Sequence, residues 1–142
     1  MLNVFRLSKR ILVLLALLFI IPLGIFSKDY AGIGQEWVQD YAGDVLYEIF
    51  WCLLIFWFAP ASKNSTKLHP IALWVLVVTC IIEISQVWFY LVPVTIRSSF
   101  IWRMLLGAGF DWWDFPHYAL GALIGWKIIE QIAQITRFYQ KL

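Results

Sequence analysis

Glu83-Ile84-Ser85-Gln86 stands inside an apolar run that extends from Ile71 to Val92. As a helix this run is about 33 Å long, which is enough to cross a bilayer. An acidic side chain at mid-bilayer costs on the order of 2.5–3.5 kcal/mol, so this one needs polar neighbours. The spacing i, i+4, i+7, i+11 places a polar stripe along the helix: Thr79, Glu83, Gln86 and Tyr90. We expect this stripe to face other protein segments or trapped water rather than lipid.

Composition indicates the same class of protein. The chain of 142 residues is 62% hydrophobic, and its mean hydropathy is +0.77, which is typical of membrane proteins. Its net charge is only +2 and it has no basic run, which argues against a nucleic-acid partner. Cys52 and Cys80 both fall in apolar runs, where cysteine usually packs as a small hydrophobe. The sequence therefore predicts no disulfide, no metal site and no cofactor.

We predict an all-α, polytopic membrane protein with a single domain that covers residues 1–142. Its four transmembrane helices are predicted at about 11–26, 44–59, 71–92 and 113–129. The first run resembles a secretory signal, but no small-residue cleavage site follows it, so we interpret it as a retained helix. A short interfacial helix is predicted between the third and fourth spans, capped by Ser98 or Ser99 and ended by Gly107 or Gly109.

Basic residues give the expected orientation. One predicted side has eight of them: Arg6, Lys9, Arg10, Lys63, Lys67, Lys127, Arg137 and Lys141. The other side has three: Lys28, Arg97 and Arg103. This bias favours both termini in the cytoplasm, with Glu83 and Gln86 in the outer half of the third span.

Polar residues gather toward that predicted outer side. The predicted ligand pocket or buried polar network consists of Asp44, Glu48, Glu83, Gln86, Arg97, Arg103, Asp111, Asp114 and Tyr118. Glu83 is the member that packing alone explains least. It either pairs with Arg97 or Arg103, because an arginine–carboxylate fork is strong at low dielectric, or it is neutral.

Simpler structural roles are open for four residues of this part of the chain. Asp44 and Asp114 could each cap the start of a helix by accepting from free backbone amides. Gly121 and Gly125 form a small-residue seam that favours close helix packing.

Metal binding and catalysis have little support. Asp111, Asp114 and His117 are three residues apart, and each step turns a ligand about 60° around a helix, so the three converge poorly. No serine lies in a G-x-S-x-G motif. Proton movement through Glu83, Tyr90 and Glu48 is a further alternative, but no acidic residues continue that path to the inner side. The asymmetry favours an outward-facing pocket over a path through the membrane.

Three functions are therefore open. The first is binding of a lipid or cell-envelope headgroup, with Arg97 and Arg103 holding an anionic group and Glu83, Gln86 and Asp114 orienting them. The second is a non-catalytic accessory subunit that docks a larger membrane protein through its glycine seam and aromatic faces. The third is an enzyme that acts on a lipid-linked substrate.

Six short motifs, each present once, follow one another along nearly the whole chain. They are Leu23-Gly24-Ile25-Phe26-Ser27, Tyr41-Ala42-Gly43-Asp44-Val45-Leu46, Ile82-Glu83-Ile84-Ser85-Gln86, Ile96-Arg97, Leu105-Leu106-Gly107-Ala108-Gly109-Phe110-Asp111-Trp112-Trp113-Asp114 and Tyr118-Ala119-Leu120-Gly121. They resemble a bacterial family of small four-helix membrane proteins, a domain of unknown function. More loosely, the order Glu-x-x-Gln, Arg, Asp, Gly is similar to VanZ-like proteins, although Tyr118 stands where an Asn is expected. The resemblance implies location in the bacterial cytoplasmic membrane and no known reaction.

Overall fold

The computed structural model describes residues 2–60, 68–107 and 109–141, without the side chains of residues 2–8, 140 and 141. Within these ranges every regular element is helical, so the predicted all-α fold is confirmed. The elements are α1 (Leu2–Ser27), α2 (Gln35–Trp37), a π-helical turn (Val38–Ala42), α3 (Gly43–Phe58), α4 (His69–Ser85), a 3₁₀ helix (Gln86–Leu91), α5 (Val94–Arg97), α6 (Phe100–Leu106) and α7 (Asp114–Lys141).

The helices α1 and α3 run antiparallel. Near the start of α1, Lys9 Nζ donates to the carbonyl oxygen of Ala59, just beyond the end of α3, at 2.6 Å. At the other end of the pair, Gly24 of α1 lies against Leu46 of α3. Lys9 is buried and also lies over the ring of Phe56, 4.3 Å from its centroid. One end of the bundle therefore holds the start of α1 and the end of α3.

The helix α7 runs parallel to α3 and antiparallel to α4. Gly121 of α7 packs against Val45 of α3, and Gly125 packs one turn further along against Ile49. Near its start, α7 hydrogen-bonds to the last turn of α4, whereas its residue Trp126 contacts the ring of His69 at the first turn of α4, with centroids 4.4 Å apart. The four long helices thus alternate in direction. We call the end where α1 and α4 finish and α3 and α7 begin the polar end.

Three segments are long and apolar enough to span a membrane: Lys9–Ser27, Gln35–Phe58 and His69–Leu91. The chain therefore has the character of a multi-pass membrane protein by helix length and composition. The second segment begins earlier than the predicted 44–59, because α2 and the π-helical turn continue directly into α3. The predicted span 113–129 lies in α7, which is not one of these three and extends to Lys141.

Two short helices, α5 and α6, occupy the connection where one was predicted. Ser99 caps α6, because its Oγ accepts from the backbone N–H of Trp102 at 3.3 Å. Gly107 follows α6 with φ 80°, a left-handed conformation that glycine adopts without strain. Two of the basic residues used for the orientation, Lys63 and Lys67, lie outside the described residues.

Candidate polar site

Glu83 is the centre of a buried hydrogen-bond network at the polar end. Its side chain is 1% exposed, and both carboxyl oxygens have donors. Oε1 accepts from the backbone N–H of Asp111 at 2.9 Å. Oε2 accepts from Gln86 Nε2 at 2.8 Å and from the Tyr118 hydroxyl at 3.0 Å. All three groups that bond to the Glu83 carboxyl oxygens are hydrogen-bond donors, which is the environment that a carboxylate anion needs.

These three bonds join segments that are distant in sequence. Gln86 comes from the junction of α4 with the 3₁₀ helix, Asp111 from the turn before α7, and Tyr118 from the first turns of α7. Gly107 brings the connection close to this network, because a Cβ built there would lie 3.2 Å from Gln86 Nε2. Glu83 therefore fixes the end of α4 to the start of α7 and to the loop between them.

The burial of the predicted polar stripe is confirmed for three of its four members. Thr79, Glu83 and Gln86 are at most 6% exposed, whereas Tyr90 is 68% exposed. The helix tightens to a 3₁₀ helix at Gln86. Four residues turn about 400° in an α-helix and about 480° in a 3₁₀ helix, so Tyr90 moves roughly 80° off the stripe.

Of the two alternatives open for Glu83, pairing with Arg97 or Arg103 does not occur in the described residues. Arg97 and Arg103 form no ion pair there. Arg97 ends the short helix α5 and Arg103 lies on the exposed face of α6, whereas Glu83 points into the bundle. The Glu83 carboxyl group instead accepts from three neutral donors, which are Gln86, the Asp111 amide and Tyr118. Glu83, Gln86 and Tyr118 are each more than nine-tenths buried.

A second cluster of carboxyl groups lies beside this network. Asp44 in the first turn of α3 and Asp114 in the first turn of α7 face each other within hydrogen-bonding range. Two carboxylate anions this close would repel each other, which favours a proton held between them. Lys28 lies nearby, with its Nζ donating to the carbonyl oxygen of Gln39 at 2.8 Å. Asp114 on α7 thus faces the carboxyl group of Asp44 on α3.

Asp111 shapes the turn that leads into α7. Its Oδ1 accepts from the backbone N–H of Trp113 at 3.0 Å, which is an Asx turn. Its Oδ2 accepts from the Tyr41 hydroxyl at 3.3 Å. Asp111 therefore has both a backbone and a side-chain role: its amide binds Glu83 and its carboxylate orders the turn.

His117 is engaged at both ring nitrogens. Nδ1 lies 2.6 Å from the carbonyl oxygen of Trp113, and Nε2 accepts from Trp37 Nε1 at 3.1 Å. The ring also stacks on Tyr41, with centroids 4.4 Å apart. Sequence reasoning missed Trp37 and Tyr41 as partners, because 80 residues separate Trp37 from His117 and no local pattern links them. In the described residues, no group of three His, Cys, Asp or Glu side chains has a metal-binding arrangement.

Glu48 is the second fully buried acid, and it differs from Glu83. It is 0% exposed, and neither carboxyl oxygen has a hydrogen-bond partner within the part of the chain that is described. The Thr79 hydroxyl faces it from α4, but that hydroxyl lies 3.0 Å from the carbonyl oxygens of Val75 and Leu76 and donates there. Within the described residues, the buried carboxyl group of Glu48 thus has no hydrogen-bond donor directed at it.

The glycine seam faces the inside of the bundle. A Cβ built on Gly121 would lie 2.6 Å from Glu48 Cβ and 2.7 Å from the carbonyl oxygen of Val45. A Cβ on Gly125 would lie 2.9 Å from Cys52 Cβ. The seam is therefore filled by α3, and it is not a free surface for an accessory-subunit interface.

A separate groove of about 500 Å³ lies between α4 and α7, nearer the opposite end. Its walls are mainly apolar and include Trp74, Leu76, Ala119 and Trp126. None of the predicted site residues lines it.

One family model matches the chain over residues 33–122, and it is described as a protein of unknown function (DUF2809). No curated protein and no solved structure matches the chain. The match spans α2 to the first turns of α7 and thus includes Glu48, Glu83 and Asp114. It gives no support to the VanZ-like resemblance. Because the match covers more than half of the sequence, this chain belongs to the DUF2809 family of proteins of unknown function.

Proposed function

We propose that this chain is a four-span protein of the bacterial cytoplasmic membrane that binds an anionic lipid or cell-envelope headgroup at its polar end. In this proposal α7 is the fourth span, both termini are cytoplasmic and the polar end faces outward. The ligand is held at the rim of the polar end by Arg97 and Arg103. The Glu83 network supports this binding site, because it holds in place the segments that carry the two arginines.

The packing of α7 supports its assignment as a span. It contacts α1, α3 and α4, and it runs alongside α3 over the length of the glycine seam. The surface it leaves exposed along this length includes Leu120 and Leu123. A helix that shares its faces between three apolar helices and an apolar outer surface fits a bilayer.

The surface around the two arginines supports an interfacial position for α5 and α6. It exposes large apolar side chains: Val94, Ile96, Phe100, Ile101, Met104 and Leu105. Trp112 and Trp113 are 75% and 66% exposed in the next turn of the chain. Aromatic and basic residues on an apolar surface are typical of the headgroup level of a membrane.

The free charge of Arg97 and Arg103 is the single observation on which the proposal depends. Several carboxyl groups lie at the same end of the bundle, among them those of Glu83 and Asp111, yet in the described residues neither arginine pairs with any of them. Glu83 and Asp111 instead accept hydrogen bonds from backbone amides and from tyrosines. Both guanidinium groups thus keep their donors for an external anion, and guanidinium binds phosphate in a bidentate manner.

The test compares lipid retention by wild type and variants. Purified protein is equilibrated with mixed phosphatidylglycerol and phosphatidylcholine vesicles, and the lipid that remains bound is counted by native mass spectrometry. We expect wild type to prefer phosphatidylglycerol and the double variant Arg97→Gln, Arg103→Gln to lose that preference. Lys127→Gln is the matched control, because Lys127 is exposed, pairs with Glu130 and lies away from the polar end.

A competition experiment separates a lipid from its headgroup alone. If soluble glycerol phosphate displaces the bound phosphatidylglycerol, the headgroup is sufficient for binding, and if it does not, the acyl chains contribute. An unchanged lipid preference in the double arginine variant would refute the proposal. The same loss of preference in Lys127→Gln would also refute it, because it would show a general charge effect.

A further inference from the structure

The environment of Glu48 restricts its charge state. Its carboxyl group is completely buried among α3, α4 and α7, and both oxygens are without partners in the described residues. An ionised carboxylate in such a place has lost its hydration and gained nothing in return. A neutral carboxylic acid loses far less on burial. The geometry therefore favours the protonated form.

No cation is placed to change that conclusion. From its own helix, Asp44, Tyr47 and Cys52 are the titratable groups around Glu48, and Cys80 faces it from α4. The helix α7 meets it with the Gly121 backbone. Among the described residues, no lysine, arginine or histidine forms an ion pair with Glu48.

The titratable residues of α4 and α7 in this region lie nearer the polar end than Glu48 does. Glu83 is held by its three donors, one of which is Tyr118. Asp114 faces Asp44, the residue one helical turn before Glu48 on α3. Residues four apart on a helix are neighbours, so the Asp44–Asp114 pair lies one helical turn from the Glu48 site.

We propose that Glu48 is a proton-binding site inside the helical bundle, which exchanges its proton with the polar end through the Asp44–Asp114 pair. Binding or release of this proton changes the charge at the contact of α3 with Gly121 and with Thr79. The site is reached from one side of the bundle, and it does not require a path to the opposite end. It is independent of headgroup binding at Arg97 and Arg103.

Infrared spectroscopy of the purified protein tests this inference directly. A protonated carboxylic acid gives a C=O stretching band separate from that of a carboxylate, and the band shifts when the proton is replaced by deuterium. We expect wild type at neutral pH to show such a band, which Glu48→Gln lacks and Glu83→Gln retains. The double variant Asp44→Asn, Asp114→Asn should keep the Glu48 band but exchange its proton for deuterium more slowly than wild type.

Isotope labelling keeps the test valid if Glu48→Gln fails to fold. In wild type, glutamate labelled with ¹³C at the carboxyl carbon should shift the Glu48 band and leave any aspartic-acid band in place. A wild-type spectrum without a labelled protonated band would overturn the inference. Unchanged exchange in the aspartate variant would refute the route through Asp44 and Asp114.

Discussion

Glu48 and Glu83 are two glutamates with the same burial and different surroundings. Glu48 is 0% exposed and Glu83 is 1% exposed. Glu83 accepts three hydrogen bonds from three segments, whereas the carboxyl oxygens of Glu48 accept none in the described residues. Glu48 lies where α3 meets α7, and Glu83 lies where α4 meets α7, nearer the polar end of the bundle.

This difference shows that burial of an acid does not by itself define its role. The bonds of Glu83 hold the polar end together, so the chain gains stability from this carboxylate. Glu48 contributes no comparable bond, so its presence costs stability unless a proton neutralises it. We infer a structural role for the first and a functional one for the second, and mutations can separate the two.

The largest expected effect comes from Glu83→Leu. It leaves two buried donors and one partly buried donor without an acceptor. Each unsatisfied buried donor costs roughly 1–3 kcal/mol, so the free energy of unfolding should fall by at least about 2 kcal/mol. Equilibrium unfolding in mixed micelles, followed by circular dichroism, measures this change. A loss below about 1 kcal/mol would contradict the structural role of Glu83.

Tyr118→Phe should have the next largest effect, because it removes one of the three donors and little else. A hydrogen bond to a charged group contributes about 1.5–3 kcal/mol, which is the expected loss on unfolding in the same micelles. In the Glu83→Leu background the same substitution should instead restore about 1–3 kcal/mol, since it removes a buried hydroxyl that has lost its acceptor. Equal costs in the two backgrounds would mean that the Tyr118 hydroxyl does not act through Glu83.

Much of the fold could be predicted from the sequence, because the governing signals are local. Apolar runs of span length mark α1, α3 and α4, and serine and glycine residues mark the limits of α6. The periodic polar stripe correctly placed Thr79, Glu83 and Gln86 inside the protein. Beyond the predicted span 113–129, α7 continues to Lys141, because its polar second half still buries Ile132, Ala133 and Thr136 at helical spacing.

The roles within the polar site could not be predicted in the same way. An acid in an apolar helix gives the same signal whether it has three donors or none, so the sequence could not distinguish Glu83 from Glu48. The donors of Glu83 include an amide 28 residues away and a hydroxyl 35 residues away. An arginine was the strongest partner that composition offered, and the structure uses a backbone amide that no sequence pattern reveals.

Gly121→Ala tests whether Glu48 is held by close approach of α7 to α3. The added Cβ would meet Glu48 Cβ at 2.6 Å and the Val45 carbonyl oxygen at 2.7 Å, so the helices must separate. Overpacking of this kind costs about 1–3 kcal/mol of unfolding free energy. The matched control is Gly109→Ala, where the added Cβ meets nothing within 4 Å. If the two substitutions cost the same, the seam is not tightly packed.

The smallest change in stability, and one in the opposite direction, is expected for Glu48→Leu. Burying an unbonded polar group costs about 1–3 kcal/mol by mutational data, and leucine has a similar volume without that penalty. Because leucine does not match the shape of glutamate perfectly, we expect a gain between zero and about 2 kcal/mol in unfolding free energy. A loss comparable to that of Glu83→Leu would show that Glu48 has bonding partners and would remove the contrast between the two acids. A gain would mean that the chain keeps a destabilising carboxyl group at this position, which is expected if its proton is used.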